Sequence, residues 1–264
     1  RPTTTVSDYR PGTATASSGN PDLDPYLSDN FDLSYEWYYN ETSYVAVSYF
    51  FKQIDDYIGT DVEPDVLLDV NREPLRNPEA RFDGSVVSPT PVFSQPTDPI
   101  AEFDVTRLVN GEQREVDGFE LSLQHLFGES GFGVQANYTI VDSDAEYDTS
   151  DFGSQAILIG LSDSWNLIGF FENDMFSVRV AANWRDEFLY GTNQLRATNE
   201  PVYFDEYLQV DMNASWYIND TFSVSFEVLN MFGEDQLQSG RYGSQFLFEN
   251  EQDPRYTLGV RAVF

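Results

Sequence analysis

Carboxylates occupy every second position between residues 142 and 148, where Asp142, Asp144, Glu146 and Asp148 follow one another. Hard cations such as Ca²⁺ take several oxygen ligands at once, so this spacing could hold structural calcium. The glycine and the bidentate glutamate of an EF-hand loop are missing, because Tyr147 and Gly153 stand at those positions. The pattern therefore favours a solvated acidic loop, with calcium as the alternative, and predicts no other cofactor.

The chain contains almost none of the histidine and cysteine on which enzymatic catalysis often depends. The sequence contains no Cys and a single histidine, His125, which leaves few ligands for a metal centre and little basis for a Ser-His-Asp triad. No GxSxG, HExxH or phosphate-loop pattern occurs, so we predict that the protein is not an enzyme. His125 shares a strand face with Leu123 and Phe127 beside a short turn, where an interfacial role is expected.

Ligand capture is the chemistry that the remaining side chains suggest. A long segment, residues 59–110, carries ten acids and four Arg, and four aromatic residues lie in or beside it: Tyr57, Phe82, Phe93 and Phe103. Aromatic rings stack on sugars and flat chelates, so these four are candidate ligand contacts; the alternative is a folded lid with its own small apolar cluster. Arg185, within Arg185-Asp186-Glu187, is a further candidate for contact with a substrate or a loop.

The strongly negative net charge of the chain limits the classes of molecule that it could bind. The 264 residues include 14 Lys and Arg against 45 Asp and Glu, which gives a net charge of −31 and argues against nucleic acid. Aromatic residues make up 16% of the chain, too many for a disordered acidic protein. No apolar run approaches the roughly 18 residues that a membrane-spanning helix needs. The strands of a membrane barrel also lack such runs, because only every second residue is apolar, so this absence does not argue against a barrel.

The secondary structure that must position these residues is predicted from the alternation of apolar and polar residues, which has a period of two. Nine segments alternate apolar and polar side chains, as β-strands do. They span residues 31–39, 45–51, 119–127, 132–140, 165–171, 176–184, 210–216, 222–228 and 256–264.

The connections between these segments alternate in length. Short turns lie near residues 40–42, 128–131, 173–174 and 219–220, and long connections cover 59–110, 142–163, 190–204 and 233–254. Short turns on one rim and long loops on the other are typical of an outer-membrane β-barrel, whose short turns are periplasmic.

The apolar faces favour a membrane barrel over a soluble β-sandwich. Aromatic residues sit near strand ends on those faces, as at the two membrane interfaces of a barrel. The opposite faces carry ionisable residues that could pair across strands, contact a plug or line a path: Asp32, Glu36, Glu120, Arg179, Arg185, Asp211, Glu227 and Arg261. The sequence therefore predicts an all-β fold, a transmembrane antiparallel β-barrel.

An odd strand count indicates part of a larger barrel, since bacterial barrels have an even number of strands. We expect residues 1–29 to be the remnant of an extracellular loop and residues 30–264 to form the C-terminal part of the barrel.

Six segments in order resemble the TonB-dependent receptor family, and most closely its Caulobacter- and Xanthomonas-like members. A GNP-x-L-x-P loop before a strand like NFDLSLEWYF has its counterpart in residues 19–39, and Arg1-Pro2 resembles the end of the preceding strand. The other similar segments are VDGFELSLQ at 116–124, NWRDEFL at 183–189, FEVLNMFGE at 226–234 and YTLGVRAVF at 256–264.

This resemblance implies a bacterial outer-membrane transporter. A complete member has a barrel of about 22 strands, of which these nine would be the last, with a plug and a TonB-binding segment that this sequence does not contain. It would import a scarce, bulky nutrient, an oligosaccharide in preference to a ferric chelate. A passive porin, a structural or adhesive barrel, and a soluble β-rich binding protein are the alternatives.

The resemblance also implies partners. These are membrane lipid and lipopolysaccharide, the TonB complex through the N-terminal region, the imported ligand, and the barrel assembly machinery. The last would read a C-terminal signal formed by Tyr256, Leu258, Val260, Ala262 and Phe264.

Overall fold

The computed structural model describes residues 4–8, 15–69, 71–76, 96–152, 155, 157–192 and 200–263, and within these residues every regular element of secondary structure is a β-strand. In these residues no helix occurs that is long and apolar enough to cross a membrane. The strands are β1 (Thr4–Asp8), β2 (Thr15–Ser18), β3 (Leu27–Asn40), β4 (Ser43–Asp55), β5 (Ile58–Asp65), β6 (Phe103–Asn110), β7 (Arg114–Leu126), β8 (Phe132–Ser143), β9 (Ser164–Glu172), β10 (Phe176–Arg185), β11 (Phe188–Gly191), β12 (Val202–Phe204), β13 (Tyr207–Tyr217), β14 (Phe222–Leu229), β15 (Gln236–Ser239), β16 (Phe246–Asn250) and β17 (Arg255–Ala262).

Nine of these strands form one sheet in the order β17-β14-β13-β10-β9-β8-β7-β4-β3. Each of the nine predicted segments coincides with one of them, so the predicted all-β antiparallel fold is confirmed. This sheet belongs to a compact unit that comprises residues 28–54 and 114–264.

The cross-strand register puts the apolar residues of the sheet on one face. Leu121 pairs with Tyr138, Tyr138 with Trp165, and Trp165 with Trp184, so a single apolar row crosses four strands. This face is exposed: Leu258 and Val260 on β17 are 72% and 74% accessible. A soluble sheet buries such a face, whereas a barrel presents it to lipid.

Two groups of aromatic rings border the apolar face. At the short-turn ends, Phe132 packs on Phe171 (4.6 Å between ring centroids) and Phe176 on Trp216 (6.2 Å). At the long-loop ends, Trp165 stacks on Trp184 at 6.2 Å. Phe176 and Trp184 are eight residues apart on β10, about 26 Å of strand, similar to the roughly 25 Å apolar band of outer-membrane barrels.

Asparagine side chains form two of the short turns. Asn173 Oδ1 accepts hydrogen bonds from the backbone N of Met175 and Phe176 (2.9 and 2.8 Å). Asn219 Oδ1 does the same for Thr221 and Phe222 (both 2.9 Å). In these Asx turns the asparagine side chain accepts hydrogen bonds from backbone N–H groups of the turn. This explains how a turn of few residues can join two antiparallel strands.

Three of the predicted long loops, residues 59–110, 190–204 and 233–254, contain strands of their own. The strands of the last two form a separate sheet. β11, β12, β15 and β16 form a four-stranded sheet in that order, each beginning or ending within a few residues of β10, β13, β14 and β17 respectively. The hairpins of the large sheet therefore continue past short acidic breaks such as Asp186-Glu187 and Asp205-Glu206. Strands of three to five residues are too short to give a recognisable alternation, so the sequence did not predict them.

The second compact unit comprises residues 1–27 and 55–113. It contains a sheet in the order β1-β2-β6-β5, with β2 parallel to β6. Ala16, Ala101, Phe103 and Val105 form its buried core, with Leu67 and Leu75 packed against them. Two segments predicted as separate loops, residues 1–29 and 59–110, thus contribute strands to one sheet.

Candidate functional site

The polar face of the nine-stranded sheet is lined mainly by amides and hydroxyls. Cross-strand pairs continue over five strands from Ser122 through Asn137, Asn166 and Asn183 to Gln209. Serine and threonine occupy many of the neighbouring positions, among them Ser48, Thr139, Ser164, Ser177, Ser215 and Ser225. Amides and hydroxyls both donate and accept hydrogen bonds, so this face suits a neutral, hydroxyl-rich molecule.

Amide side chains also connect strands across this face. Gln135 Nε2 donates to Gln124 Oε1 (3.0 Å), and Arg179 Nη2 donates to Gln135 Oε1 (3.4 Å). Asn166 Nδ2 donates to Asn183 Oδ1. Arg179, predicted to pair across strands, thus has a neutral amide partner.

Asp211 is likewise held by neutral donors. Gln209 Nε2 donates to both carboxylate oxygens (2.8 and 3.0 Å), and the backbone N of Asn230 donates to Oδ1 (2.8 Å). Asn230 has a left-handed backbone (φ 51°), a conformation that asparagine tolerates better than most residues. These contacts fix the end of β14 against β13.

Arg185 contacts the connection between β8 and β9. Its Nε donates to Ser162 Oγ (2.8 Å), its Nη2 donates to the Gly160 carbonyl (2.7 Å), and its Cζ lies 3.6 Å from the centroid of the Phe188 ring. Of the two predicted contacts, with a substrate or with a loop, the structure shows the contact with a loop.

A cavity of about 390 Å³ lies beside Arg185, at the long-loop ends of β8 and β10. Its aromatic and apolar walls come from Tyr147, Tyr203, Phe188, Leu158 and Leu161, and its acids are Asp142, Glu146 and Glu187. None of the described residues that line it is Lys or Arg. The side chains that line the cavity are therefore aromatic, apolar or acidic.

Two polar groups of this cavity are raised in pKa. Burial, followed by the nearby carboxylates of Asp205 and Asp186, raises the pKa of the Glu187 carboxyl above its ordinary value. Burial also raises the pKa of the Tyr203 hydroxyl, with further contributions from Tyr147 and Glu187. Burial is the largest cause of both pKa shifts and nearby acidic groups add to it, whereas the Arg241 guanidinium partly opposes the shift of Tyr203.

Arg241 holds one wall of the cavity in place. It is 5% exposed, and its Nη2 donates to the Tyr147 hydroxyl at 2.9 Å. Nη1 donates to the carbonyls of Thr149 and Asp151 (2.6 and 3.1 Å), and the guanidinium pairs with Glu200 at 3.4 Å. One buried guanidinium thus connects three long connections of the barrel.

The four aromatic residues predicted to contact a ligand have different outcomes. Phe103 is fully buried in the core of the second unit, so its ring has no face free for a ligand there. The segment thus has the apolar cluster of the alternative prediction, and its role as a lid stays a prediction. Tyr57 is half-buried in the same unit, and its carbonyl accepts a hydrogen bond from Gly111 N at 2.8 Å. Phe82 and Phe93 lie outside the described residues.

The calcium site is not supported. Among the described residues, which include all of 142–148, no three acidic or histidine side chains come together as metal ligands. Asp144 Oδ1 instead accepts a hydrogen bond from Glu115 N (2.9 Å), and Asp148 Oδ1 accepts one from Ser150 N (2.8 Å). The backbone uses these carboxylates locally, so the alternation does not gather them around one point.

His125 lies at the short-turn edge of the apolar face, as predicted. Its Nδ1 is 2.9 Å from the Tyr39 hydroxyl, and its ring stacks on Tyr39 and meets the edge of Phe127. Of the predicted assembly signal, Tyr256, Leu258, Val260 and Ala262 lie exposed on β17, and Phe264 lies outside the described residues. Whether they act as a signal stays a prediction.

Several residues that line the cavity or support its walls were not predicted. Arg241 and Tyr147 are 94 positions apart, and Tyr203 lies in a short strand inside a predicted loop. An arginine in an otherwise acidic loop was the one available signal.

A family model described as "TonB dependent receptor-like, beta-barrel" matches residues 1–231. No curated protein sequence gives a significant match.

Solved structures share the fold. The siderophore receptor PirA from Acinetobacter baumannii has a TM-score of 0.60 at 15% identity, over 95% of this chain and 34% of that one. A mutant of the ferric enterobactin receptor PfeA from Pseudomonas aeruginosa, in complex with enterobactin, gives 0.63 at 14%, over 95% and 33%. The FrpB iron transporter from Neisseria meningitidis gives 0.53 at 16%, over 94% and 33%. The chain thus spans about a third of the length of these structures.

Proposed function

Because this chain belongs to the family of TonB-dependent receptor β-barrels, we propose that it forms part of the wall of a transporter that imports a scarce, bulky nutrient across the bacterial outer membrane. The observation that carries this proposal is the continuous register of the nine-stranded sheet. It puts an exposed apolar face with aromatic borders opposite a face of amides and hydroxyls.

In this proposal the short turns lie in the periplasm, and the long connections, with the cavity beside Arg185, lie outside the cell. The apolar face contacts lipid and lipopolysaccharide. Energy reaches the barrel through the TonB complex, and the exposed residues of β17 serve the barrel assembly machinery.

The substrate class that we favour is an oligosaccharide, as in the Caulobacter- and Xanthomonas-like members that the sequence resembles. The polar face offers neutral donors and acceptors, and the chain carries 45 acids against 14 Lys and Arg. A ferric chelate of an anionic siderophore would meet an excess of negative charge, because such chelates are polyanions.

A ferric chelate is the second candidate, and the solved structures favour it. The PirA and PfeA proteins are described as a siderophore receptor and a ferric enterobactin receptor. Their identity to this chain is 15% and 14%, a level at which structural similarity shows a shared fold and not a shared ligand.

The test is energy-dependent uptake by cells that express the full-length receptor, with and without a functional TonB. We expect radiolabelled neutral oligosaccharides (a panel of maltoheptaose, cellohexaose and xylohexaose) to accumulate only when TonB is active. Accumulation of ferric enterobactin alone would select the second candidate. TonB-independent entry of both would indicate a passive porin, and entry of neither would indicate a structural barrel.

A further inference from the structure

The cavity beside Arg185 has the size of a site for one small group. Its volume of about 390 Å³ lies at the lower end of the roughly 300–1,000 Å³ of small-molecule sites. Two of its walls come from different hairpins, Tyr147 from the connection after β8 and Tyr203 from β12. A ligand there would contact both connections at once.

The geometry points to a subsite for a single neutral sugar ring of the imported oligosaccharide, an inference that rests on the proposed function. The ring would lie against the aromatic side chains of Tyr147 and Tyr203. Its hydroxyls would donate to the Glu187 carboxylate and exchange hydrogen bonds with the Tyr203 hydroxyl.

The chemistry of the lining selects this class of ligand. A carboxylate only accepts hydrogen bonds, so it needs a donor, and sugar hydroxyls are donors. Within the described residues, no side chain donates a hydrogen bond to Glu187, so its acceptor sites are open to a ligand. The oxygens of an anionic chelate are acceptors as well, so they cannot donate to the carboxylates of Asp142, Glu146 and Glu187 that line the cavity.

Aromatic faces supply the second half of the recognition. The face of an aromatic ring carries partial negative charge, which attracts the weakly positive C–H groups on one side of a sugar ring. The Tyr147 ring is held for this contact, because Arg241 donates to its hydroxyl at 2.9 Å. Phe188 forms part of the wall without a free face, because the Arg185 guanidinium lies 3.6 Å from its centroid and the Phe204 ring stacks on it with 5.3 Å between centroids. The aromatic walls are thus fixed before a ligand enters, which lowers the entropy cost of binding.

The test is calorimetric titration of the purified full-length receptor with the panel oligosaccharide that is taken up best. We expect Tyr203→Ala to weaken binding roughly tenfold and Glu187→Gln about fivefold, since each removes or weakens one hydrogen bond of the bound ring. Tyr203→Phe keeps the ring and should lose less affinity than Tyr203→Ala. The matched controls Tyr242→Ala and Glu249→Gln change exposed residues outside the cavity and should bind like the wild type.

The outcomes separate this subsite from the proposed function. If the wild type binds the oligosaccharide and both cavity variants bind it equally well, the subsite is wrong and oligosaccharide import stands. If the wild type binds no oligosaccharide of the panel, both are wrong. Retention of the heat-modifiable, folded band in gel electrophoresis identifies variants that fold normally.

Discussion

Arg241 holds side chains and backbone carbonyls from two other long connections in place. Its guanidinium carries hydrogen bonds to Tyr147, Thr149 and Asp151 and an ion pair with Glu200, and it lies 4.2 Å from the centroid of the Phe152 ring. The side chain itself is 2% exposed, so its charge is compensated by protein groups in place of water. Removing the cation leaves acceptors and a carboxylate that were arranged around it, which is costly at a buried position.

We therefore predict that Arg241→Ala loosens the connection between β8 and β9. Hydrogen exchange of residues 145–152 in the full-length receptor should show a loss of at least about 2 kcal/mol in opening free energy, the scale of a lost hydrogen bond to a charged group. Arg255→Ala, which removes an exposed arginine at the start of β17, is the control and should leave this exchange unchanged. Unaltered protection in Arg241→Ala would show that the hairpins hold this connection without the guanidinium.

The sequence predicted part of this residue-scale picture. Alternation placed Arg185 at the long-loop end of β10, because strand faces follow from the count of residues. It could not pair Arg241 with Tyr147 or Glu200, because contacts between loops depend on how each loop folds. The acids between residues 142 and 148 illustrate the same limit: a spacing of two aligns side chains along a line, whereas a cation needs them around a point, so calcium stays the alternative to the favoured solvated loop.

At the scale of strands, glycine and phenylalanine form two matched pairs. Phe50 lies opposite Gly118 on β4 and β7, and Phe170 lies opposite Gly133 on β9 and β8. A Cβ at either glycine would overlap the facing ring. The rings therefore lie over the glycines, an arrangement that covers exposed backbone and fixes the register.

Gly133→Ala should consequently destabilise the barrel, by about 1–3 kcal/mol, because the added methyl group displaces the Phe170 ring. Gly169→Ala is the matched control, since it lies next to Phe170 and a Cβ there meets nothing within 4 Å. Urea unfolding of the receptor in lipid vesicles, followed by tryptophan fluorescence, measures both. Equal stabilities of the two variants would contradict the packing described here.

Strand prediction succeeded where the strands are long. The nine wall strands contain 8–14 residues, and each has one face in a uniform apolar environment, which imposes a period of two on the sequence. The strands of the connections are shorter or, like β5 with its acids and proline, have no clear alternation. Their pairing depends on the wall strands that they extend, and a single segment does not carry that information.

For the whole molecule, the sheet is inverted relative to a water-soluble protein. Leu33, Leu121, Leu167 and Val180 lie exposed in the middle of their strands, and hydroxyl and amide side chains lie on the opposite face. Water would oppose this arrangement, because exposed apolar area on this scale drives association. A bilayer stabilises it, because lipid is the solvent for the apolar face.

Adjacent residues of β10 test this arrangement at one depth. Val180→Arg puts a charge on the apolar face and should lower the free energy of unfolding in lipid vesicles by about 2–4 kcal/mol, the cost of arginine near the bilayer midplane. Ala181→Arg puts the same charge one residue further on the polar face, opposite Asp211, where an opposite charge can compensate it. We expect that variant to unfold like the wild type. A larger loss for Ala181→Arg than for Val180→Arg would show that the apolar face does not contact lipid and would contradict the membrane barrel.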